Sequence, residues 1–156
     1  MMEVIQCKTF EQIHEVLTYC AGDLYNKKLN NKEFIRDISN KYYKNGVVFE
    51  STVEDQIAGM IAFYCNNIID KKAFLSMIVV KVEYQGKGVG DALLNQMEKE
   101  CSRSGMRNVV LEVDSTNKNA QGFYLVHGYQ IIKKSEGSLF MEKCLVEIPE
   151  RIAEAK

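Results

Sequence analysis

Q-G-K-G-V-G at residues 85–90 lies between an apolar run and an amphipathic helix, and this segment decides the predicted fold. The preceding run A-F-L-S-M-I-V-V, residues 73–80, has the length and composition of a buried strand. In the helix that follows, Leu94, Met97 and Cys101 recur at a spacing that predicts a core-facing stripe. Glycines let the backbone approach a ligand closely, and a helix N-terminus offers unpaired N–H groups with a partial positive charge. This junction is therefore predicted to bind phosphate or pyrophosphate.

The spacing of the glycines excludes two common phosphate loops. A P-loop needs G-x-x-x-x-G-K-[S/T], and the chain has no such string. The dinucleotide fingerprint G-x-G-x-x-G/A fails because it places Asp91 or Leu93 at its last position. The pattern that fits is Q-x-x-G-x-G, formed by Gln85, Gly88 and Gly90. This pattern resembles the acetyl-CoA pyrophosphate loop of the GCN5-related N-acetyltransferases (GNAT family), in which strand, loop and helix follow in this order.

A second block, residues 111–130, strengthens the resemblance. It reads LEVDSTNKNAQGFYLVHGYQ, and the family typically carries L-E-V, N-x-x-A-x-x-x-Y and a short helix ending in G-[F/Y]. The matching positions here are Glu112, Asn117, Ala120, Tyr124, Gly128 and Tyr129. Independently of the family, Asn117 is a good N-cap and Gly128 is a natural stop for a short helix.

The element order β-α-α-β-β-β-α-β-α-β-β predicts an α/β fold with helices packed on a mixed sheet. It is also the order of the resembled family. The resemblance implies a mostly antiparallel central sheet of six to seven strands flanked by about four helices, the acyl-CoA N-acyltransferase fold. A chain of 156 residues suits one domain. We predict a single GNAT-like domain over residues 1–146 and a charged C-terminal tail over residues 147–156.

Composition argues against several other classes of protein. The net charge of −1 gives no basic field for nucleic acid or an anionic membrane. The apolar runs stop well short of the ~20 residues that a membrane span needs, and no signal peptide is evident, so a cytoplasmic location is expected. Five cysteines without a C-x-x-C predict buried, reduced thiols, and the two histidines form no metal-binding group with them. No metal site is expected.

The resemblance implies acetyl-CoA as co-substrate and assigns residues to it. Backbone groups of Ile78, Val79 and Val80 would bond the pantetheine arm as a neighbouring strand does. Asn117 would bond the pantetheine or cap its own helix, and Tyr124 would also contact the cofactor. Backbone N–H groups of the loop would hold the pyrophosphate; its residues are Gln85, Gly86, Lys87, Gly88, Val89, Gly90 and Asp91.

The resemblance also assigns two catalytic residues for acetyl transfer to a primary amine of a small molecule or peptide. The amine must lose a proton, and Glu112 occupies the position that serves as base in some members, although it could be a structural carboxylate that orients water. Tyr124 is the family's usual acid for the leaving thiolate, the alternative being a core aromatic. A catalytically silent CoA-binding sensor or interaction module is the alternative function. The acceptor stays unidentified, and a homodimer through the final hairpin is a further expectation.

Overall fold

The predicted order of strands and helices is present in the structure, a computed structural model that describes residues 1–145. The elements are β1 (Met2–Cys7), α1 (Phe10–Cys20), α2 (Lys32–Asn45), β2 (Val47–Val53), β3 (Gln56–Tyr64), β4 (Lys72–Val80), α3 (Val89–Arg103), β5 (Asn108–Asp114), α4 (Lys118–Val126), β6 (Gln130–Ser135) and β7 (Ser138–Cys144). The predicted domain end at residue 146 and the tail over 147–156 lie outside the described residues.

The seven strands form one sheet in the order β1-β2-β3-β4-β5-β7-β6. Neighbouring strands run antiparallel except β4 and β5, which are parallel. The prediction of a mixed, mostly antiparallel sheet flanked by about four helices is therefore confirmed for this part of the chain.

Local sequence signals set the ends of several helices. At α1, the Thr9 hydroxyl accepts from the Gln12 amide at 3.1 Å, and the Gln12 side chain accepts from the Thr9 amide at 3.1 Å. At α4, the Asn117 side chain accepts from the backbone N–H of Ala120 at 3.2 Å. These reciprocal and single caps satisfy N–H groups that have no partner inside the helix. Gly128 follows α4 with φ of +93°, as a C-terminal stop requires.

Two hydrophobic cores lie on opposite faces of the sheet. The helices α3 and α4 cover one face, and α1 and α2 cover the other. Cys7, Cys20 and Cys101 are buried in these cores as expected. The expectation is wrong for Cys65, which is partly exposed just beyond β3, and for Cys144, which is exposed at the end of β7. Both lie at or just beyond the end of a strand, and Cys65 still contacts Ser104 at the end of α3.

The sheet opens between β4 and β5. Their pairing runs from Lys72 opposite Asn108 to Leu75 opposite Leu111 and then stops, although both strands continue. Beyond this point β5 stays paired with β7 and β4 stays paired with β3. An extra residue on β4, Ser76, forms a bulge between the Leu75 and Met77 pairs with β3, and bulges bend and twist a strand. The result is a V-shaped cleft with one unpaired edge of β4 as its wall.

Candidate active site

The unpaired edge of β4 offers backbone groups to a ligand. The amide of Lys81 donates to the carbonyl of Ala58 at 2.8 Å, so alternate residues of β4 direct their backbone groups towards β3. By this alternation Val79 faces β3, whereas Ile78 and Val80 direct theirs into the cleft. The Gln85 side chain donates to the Val80 carbonyl at 3.2 Å, which agrees with this orientation.

The glycine loop forms a cradle at one end of this edge. Gly86 and Gly88 have φ of +77° and +85°, and a Cβ on either would find no atom within 4 Å, so the backbone faces open space. Gly88 is also the N-cap of α3, whose first N–H groups point into the same space. A Cβ on Gly90 would lie 3.3 Å from the Phe123 ring, so α4 packs closely against the loop. Positive φ, open space and free N–H groups fit a pyrophosphate.

The edge and the loop line one cleft of about 540 Å³, a volume typical of small-molecule sites. Of the residues predicted to bind acetyl-CoA, all but Lys87 line it. They are Ile78, Val79, Val80, Gln85, Gly86, Gly88, Val89, Gly90, Asp91, Asn117 and Tyr124. Lys87 is exposed instead, with Nζ 5.9 Å from the centroid of the Tyr84 ring.

Tyr124 combines a buried ring with a hydroxyl that has no hydrogen-bond partner among residues 1–145. The residue is 7% exposed, and its ring packs at 5.5 Å from Phe123 and 5.7 Å from Tyr129. Burial raises the pKa of Tyr124, so the phenol stays protonated at ordinary pH. Within residues 1–145 the hydroxyl makes no hydrogen bond, and it belongs to a residue that lines the cleft. It is therefore available as a donor to a bound ligand.

Glu112 lies apart from the residues that line the cleft. It follows Leu111, the last residue of β5 paired with β4, and its side chain is exposed. Leu111 and Val113 pack in the same core as Tyr124, so Glu112 points to the opposite face of the sheet. Glu112 is thus on the face of the sheet that α1 and α2 cover, and it is not among the residues that line the cleft.

The connection between α1 and α2 contributes Asp23, which no sequence pattern indicates. Asp23 and Tyr25 line the cleft, and Asp23 forms an ion pair with Lys81 at 3.1 Å. Partial burial lowers the pKa of Lys81, but the hydrogen bond and charge of Asp23 outweigh it and raise that pKa, so Lys81 stays cationic. No repeat or spacing links this connection to β4, so only the fold brings them together. Asn119 and Phe123 of α4 were likewise missed, although both lie inside the second motif block.

A hydrogen-bonded chain links the two sides of the cleft. The Thr116 hydroxyl donates to the Asp114 carboxylate at 2.6 Å, so the Tyr25 hydroxyl must donate to Thr116, at 2.8 Å. Hydrogen bonds from Thr116 lower the pKa of Asp114. The α1–α2 connection is thereby joined to the β5–α4 turn.

Two negative findings apply to residues 1–145. No group of three or more His, Cys, Asp or Glu side chains is placed to hold a metal ion there. No helix in this part is long and apolar enough to cross a membrane.

Comparisons with known proteins agree with this geometry. A candidate ribosomal protein bS18-alanine N-acetyltransferase of Bacillus subtilis is 34% identical over 46% of this chain and 48% of its own. A spermidine N(1)-acetyltransferase of Thermoplasma acidophilum is 29% identical over 76% of this chain and 70% of its own. The chain thus spans about half the length of the first relative. The crystal structure of paia N-acetyltransferase from Thermoplasma acidophilum in complex with coenzyme A superposes with a TM-score of 0.67. It has 20% identity and covers 91% of this chain and 99% of that one.

The family model of the acetyltransferase (GNAT) domain matches residues 13–139. This range contains the split between β4 and β5, the glycine loop and α4. The chain belongs to the GNAT acetyltransferase family.

Proposed function

We propose that this protein is an N-acetyltransferase that transfers an acetyl group from acetyl-CoA to a primary amine of a small molecule or peptide. One observation carries the proposal: the split between β4 and β5 brings the unpaired strand edge, the glycine cradle and the Tyr124 hydroxyl into one cleft. The relatives' names support it, since one is a candidate alanine N-acetyltransferase and another acetylates spermidine. The coenzyme A complex of the similar structure supports the choice of cofactor.

The chain's own groups suit the two polar parts of the cofactor. Ile78 and Val80 would extend their backbone pairing to the amide-containing arm. The N–H groups from Gln85 to Asp91 would hold the pyrophosphate, and Asn117 would bond the arm beside its own helix cap. When bound, acetyl-CoA supplies an activated acetyl thioester. A fixed N–H aimed at the thioester oxygen would contribute about 3 kcal/mol to transition-state stabilisation.

Two carboxylates are candidates for taking the proton of the acceptor amine. At pH 7.4 only about 0.1% of a lysine-like amine is neutral, so a base or a preceding equilibrium is required. We propose that Glu112 acts through water across the mouth of the cleft. Asp23 lines the cleft directly and is the second candidate. The Lys81 ammonium pairs with it in the free protein, and the ammonium of an acceptor could take the same position. If Glu112 is the base, Glu112→Gln lowers kcat and Asp23→Asn chiefly raises KM for the amine; the reverse pattern would assign the base to Asp23.

The proposal also covers the location of the protein in the cell and its oligomeric state. We expect it to act in the cytoplasm without a metal, a membrane or nucleic acid, in keeping with its net charge of −1. A homodimer through the β6–β7 hairpin is supported by β6, an edge strand whose six residues are all exposed. Exposed strand edges readily pair with another chain. Light scattering on the purified protein tests this: a monomer at micromolar concentration would contradict it.

The function is tested by binding followed by transfer. Acetyl-CoA and free CoA at 100 times their dissociation constants should add about 2.7 kcal/mol of stability and raise Tm by roughly 5–10 °C, whereas NADH should not. Release of CoA thiol is then followed with alanine-ended peptides, lysine peptides and spermidine as acceptors. A Tm shift with no transfer to any amine would support the silent CoA-binding module. No Tm shift at millimolar acetyl-CoA would refute the cofactor and the function together.

A further inference from the structure

His127 contacts two groups that can only accept hydrogen bonds. Its Nδ1 lies 2.8 Å from the carbonyl oxygen of Phe123, and its Nε2 lies 2.9 Å from Oδ1 of Asp91. A neutral imidazole has one N–H and can satisfy one of these contacts, leaving the other as two facing lone pairs. Both contacts are satisfied when the ring carries two protons. The geometry of the two contacts therefore fits an imidazolium paired with the Asp91 carboxylate.

The pair joins the two helices that border the phosphate cradle. His127 follows the last residue of α4, and Asp91 lies in the first turn of α3. Each charge is at the helix end that the helix dipole favours. The imidazole packs at 4.4 Å from the Phe123 ring, the same ring that limits the space beside Gly90. The pair thus holds α4 against the glycine loop.

The side-chain carboxylate of Asp91 is an unexpected neighbour for a pyrophosphate. It lines the cleft beside the cradle, and its side chain is 60% exposed while that of His127 is 21% exposed. An unpaired carboxylate here would repel an anion held by the loop. We propose that His127 is a positioning residue for the cofactor: its charge offsets Asp91 and holds that carboxylate, so that affinity for the CoA pyrophosphate depends on the charge of His127. This inference rests on the cofactor named in the proposed function.

Other charges around His127 are already neutralised. From β7, Lys143 passes beside Gly128, and it pairs with Glu98 of α3 at 2.9 Å. Among the described residues, Asp91 is thus the charged group that contacts the ring.

The charge state is tested first, without any ligand. The chain has two histidines, so His14 serves as an internal reference in ring-nitrogen NMR. An ordinary histidine with a pKa of 6.5 is about one-quarter protonated at pH 7. We expect both nitrogens of His127 to carry protons at pH 7 and Nε2 to lose its proton in Asp91→Asn. A neutral His127 ring in the wild-type protein would overturn the inference.

The effect on the cofactor is tested by a double-mutant cycle. His127→Gln should weaken CoA binding roughly two- to fivefold, the range for a partly exposed charge pair. In the Asp91→Asn background the same change should cost less than about twofold, because no carboxylate is left to neutralise. S-acetylpantetheine lacks the phosphates, so its KM should be the same in wild type and His127→Gln. Equal losses in both backgrounds, an unchanged CoA affinity, or an equal loss for S-acetylpantetheine would each overturn the inference.

A pH series gives the same answer if His127→Gln fails to fold. Wild-type affinity for CoA should fall as pH rises from 6 to 8.5, and Asp91→Asn should show a smaller fall; equal falls would overturn the inference. Normal CoA binding without transfer to any amine would refute only the proposed function. A wild-type protein that does not bind CoA would refute both.

Discussion

The replacement Tyr124→Phe tests whether the hydroxyl of Tyr124 has a catalytic or a structural role. The hydroxyl makes no hydrogen bond within residues 1–145, so its removal should change the unfolding free energy by less than about 0.5 kcal/mol. Tyr129 provides the matched control, because it is also buried and its hydroxyl donates to Glu98 at 2.8 Å. Tyr129→Phe should therefore cost about 1.5–3 kcal/mol, or roughly 3–12 °C in Tm, with a smaller effect on turnover.

The size of the catalytic effect follows from the pKa of the phenol. Burial raises the pKa of Tyr124 above its ordinary value near 10, whereas a thiol ionises near 8.5. Complete proton transfer from Tyr124 to the leaving thiolate is therefore uphill, and the hydroxyl should act as a hydrogen-bond donor to it. Such a bond to a charged group contributes about 1.5–3 kcal/mol, so kcat should fall roughly 10- to 150-fold in Tyr124→Phe.

Turnover is measured by the release of CoA thiol at saturating amine, alongside thermal unfolding of each variant. The raised pKa keeps the phenol protonated, so wild-type turnover should show no loss from this group as pH rises to 10. Two results would refute the reasoning. One is a kcat within twofold of wild type, which would leave Tyr124 as a core aromatic. The other is a Tm loss as large as that of Tyr129→Phe, which would mean that its hydroxyl has a structural partner.

Three further predictions concern glycines and a thiol. Gly88 (φ +85°) and Gly105 (φ +88°, beyond the far end of α3) have similar backbone angles, so replacing either with Ala should lower the unfolding free energy by about 1–2 kcal/mol. The KM for acetyl-CoA should rise only in Gly88→Ala. Equal rises of KM in both variants would contradict a cofactor role for the loop. Gly59→Ala would place Cβ 2.5 Å from the Val79 carbonyl oxygen and should cost about 3 kcal/mol in urea unfolding; a loss under 1 kcal/mol would contradict the close strand packing. Burial raises the pKa of Cys20 to about 12, whereas the same thiol in the unfolded chain has a pKa near 8.5. The stability that this difference contributes is complete below pH 8.5 and is lost as the pH rises towards 12, by about 1.4 kcal/mol per pH unit. Cys20→Ala should make the fall of the unfolding free energy with pH less steep.

Local patterns predicted the helices and strands, but not that the side chains of β4 exchange faces of the sheet partway along the strand. The apolar run of β4 has no alternation, so it gave no indication of which side chains face which core. In the structure Leu75 packs with α3 and α4, whereas Val79, four residues on, packs with α1 and α2. The Ser76 bulge causes this reversal. A bulge depends on the register with the neighbouring strand, which a single apolar run does not encode.

The residues that line the cleft were predictable where they lie close together in the sequence. The glycine loop and Asn117 belong to contiguous strand–loop–helix segments, and their spacing reflects backbone requirements that any such junction has. Asp23 reaches the cleft from a connection about 50 residues before β4, and no local signal marks it. The role of Glu112 stays a prediction, because alternation on β5 directs it away from the core that contains Tyr124.

The cleft between β4 and β5 stays open because each of these strands is paired with its other neighbour in the sheet. β5 pairs with β7 along its whole length, and β4 pairs with β3 up to Val80, so neither strand needs the other beyond Leu75. The bulge at Ser76, where the strands part, is fixed by a hydrogen bond of 2.7 Å to the hydroxyl of Tyr42, a fully buried residue of α2. Helix α2 on one face of the sheet thus anchors the point at which the unpaired edge of β4 begins. Because the backbone groups of that edge are already oriented in the free protein, a pantetheine arm would find its partners in place, and binding would not have to supply the energy to separate two strands.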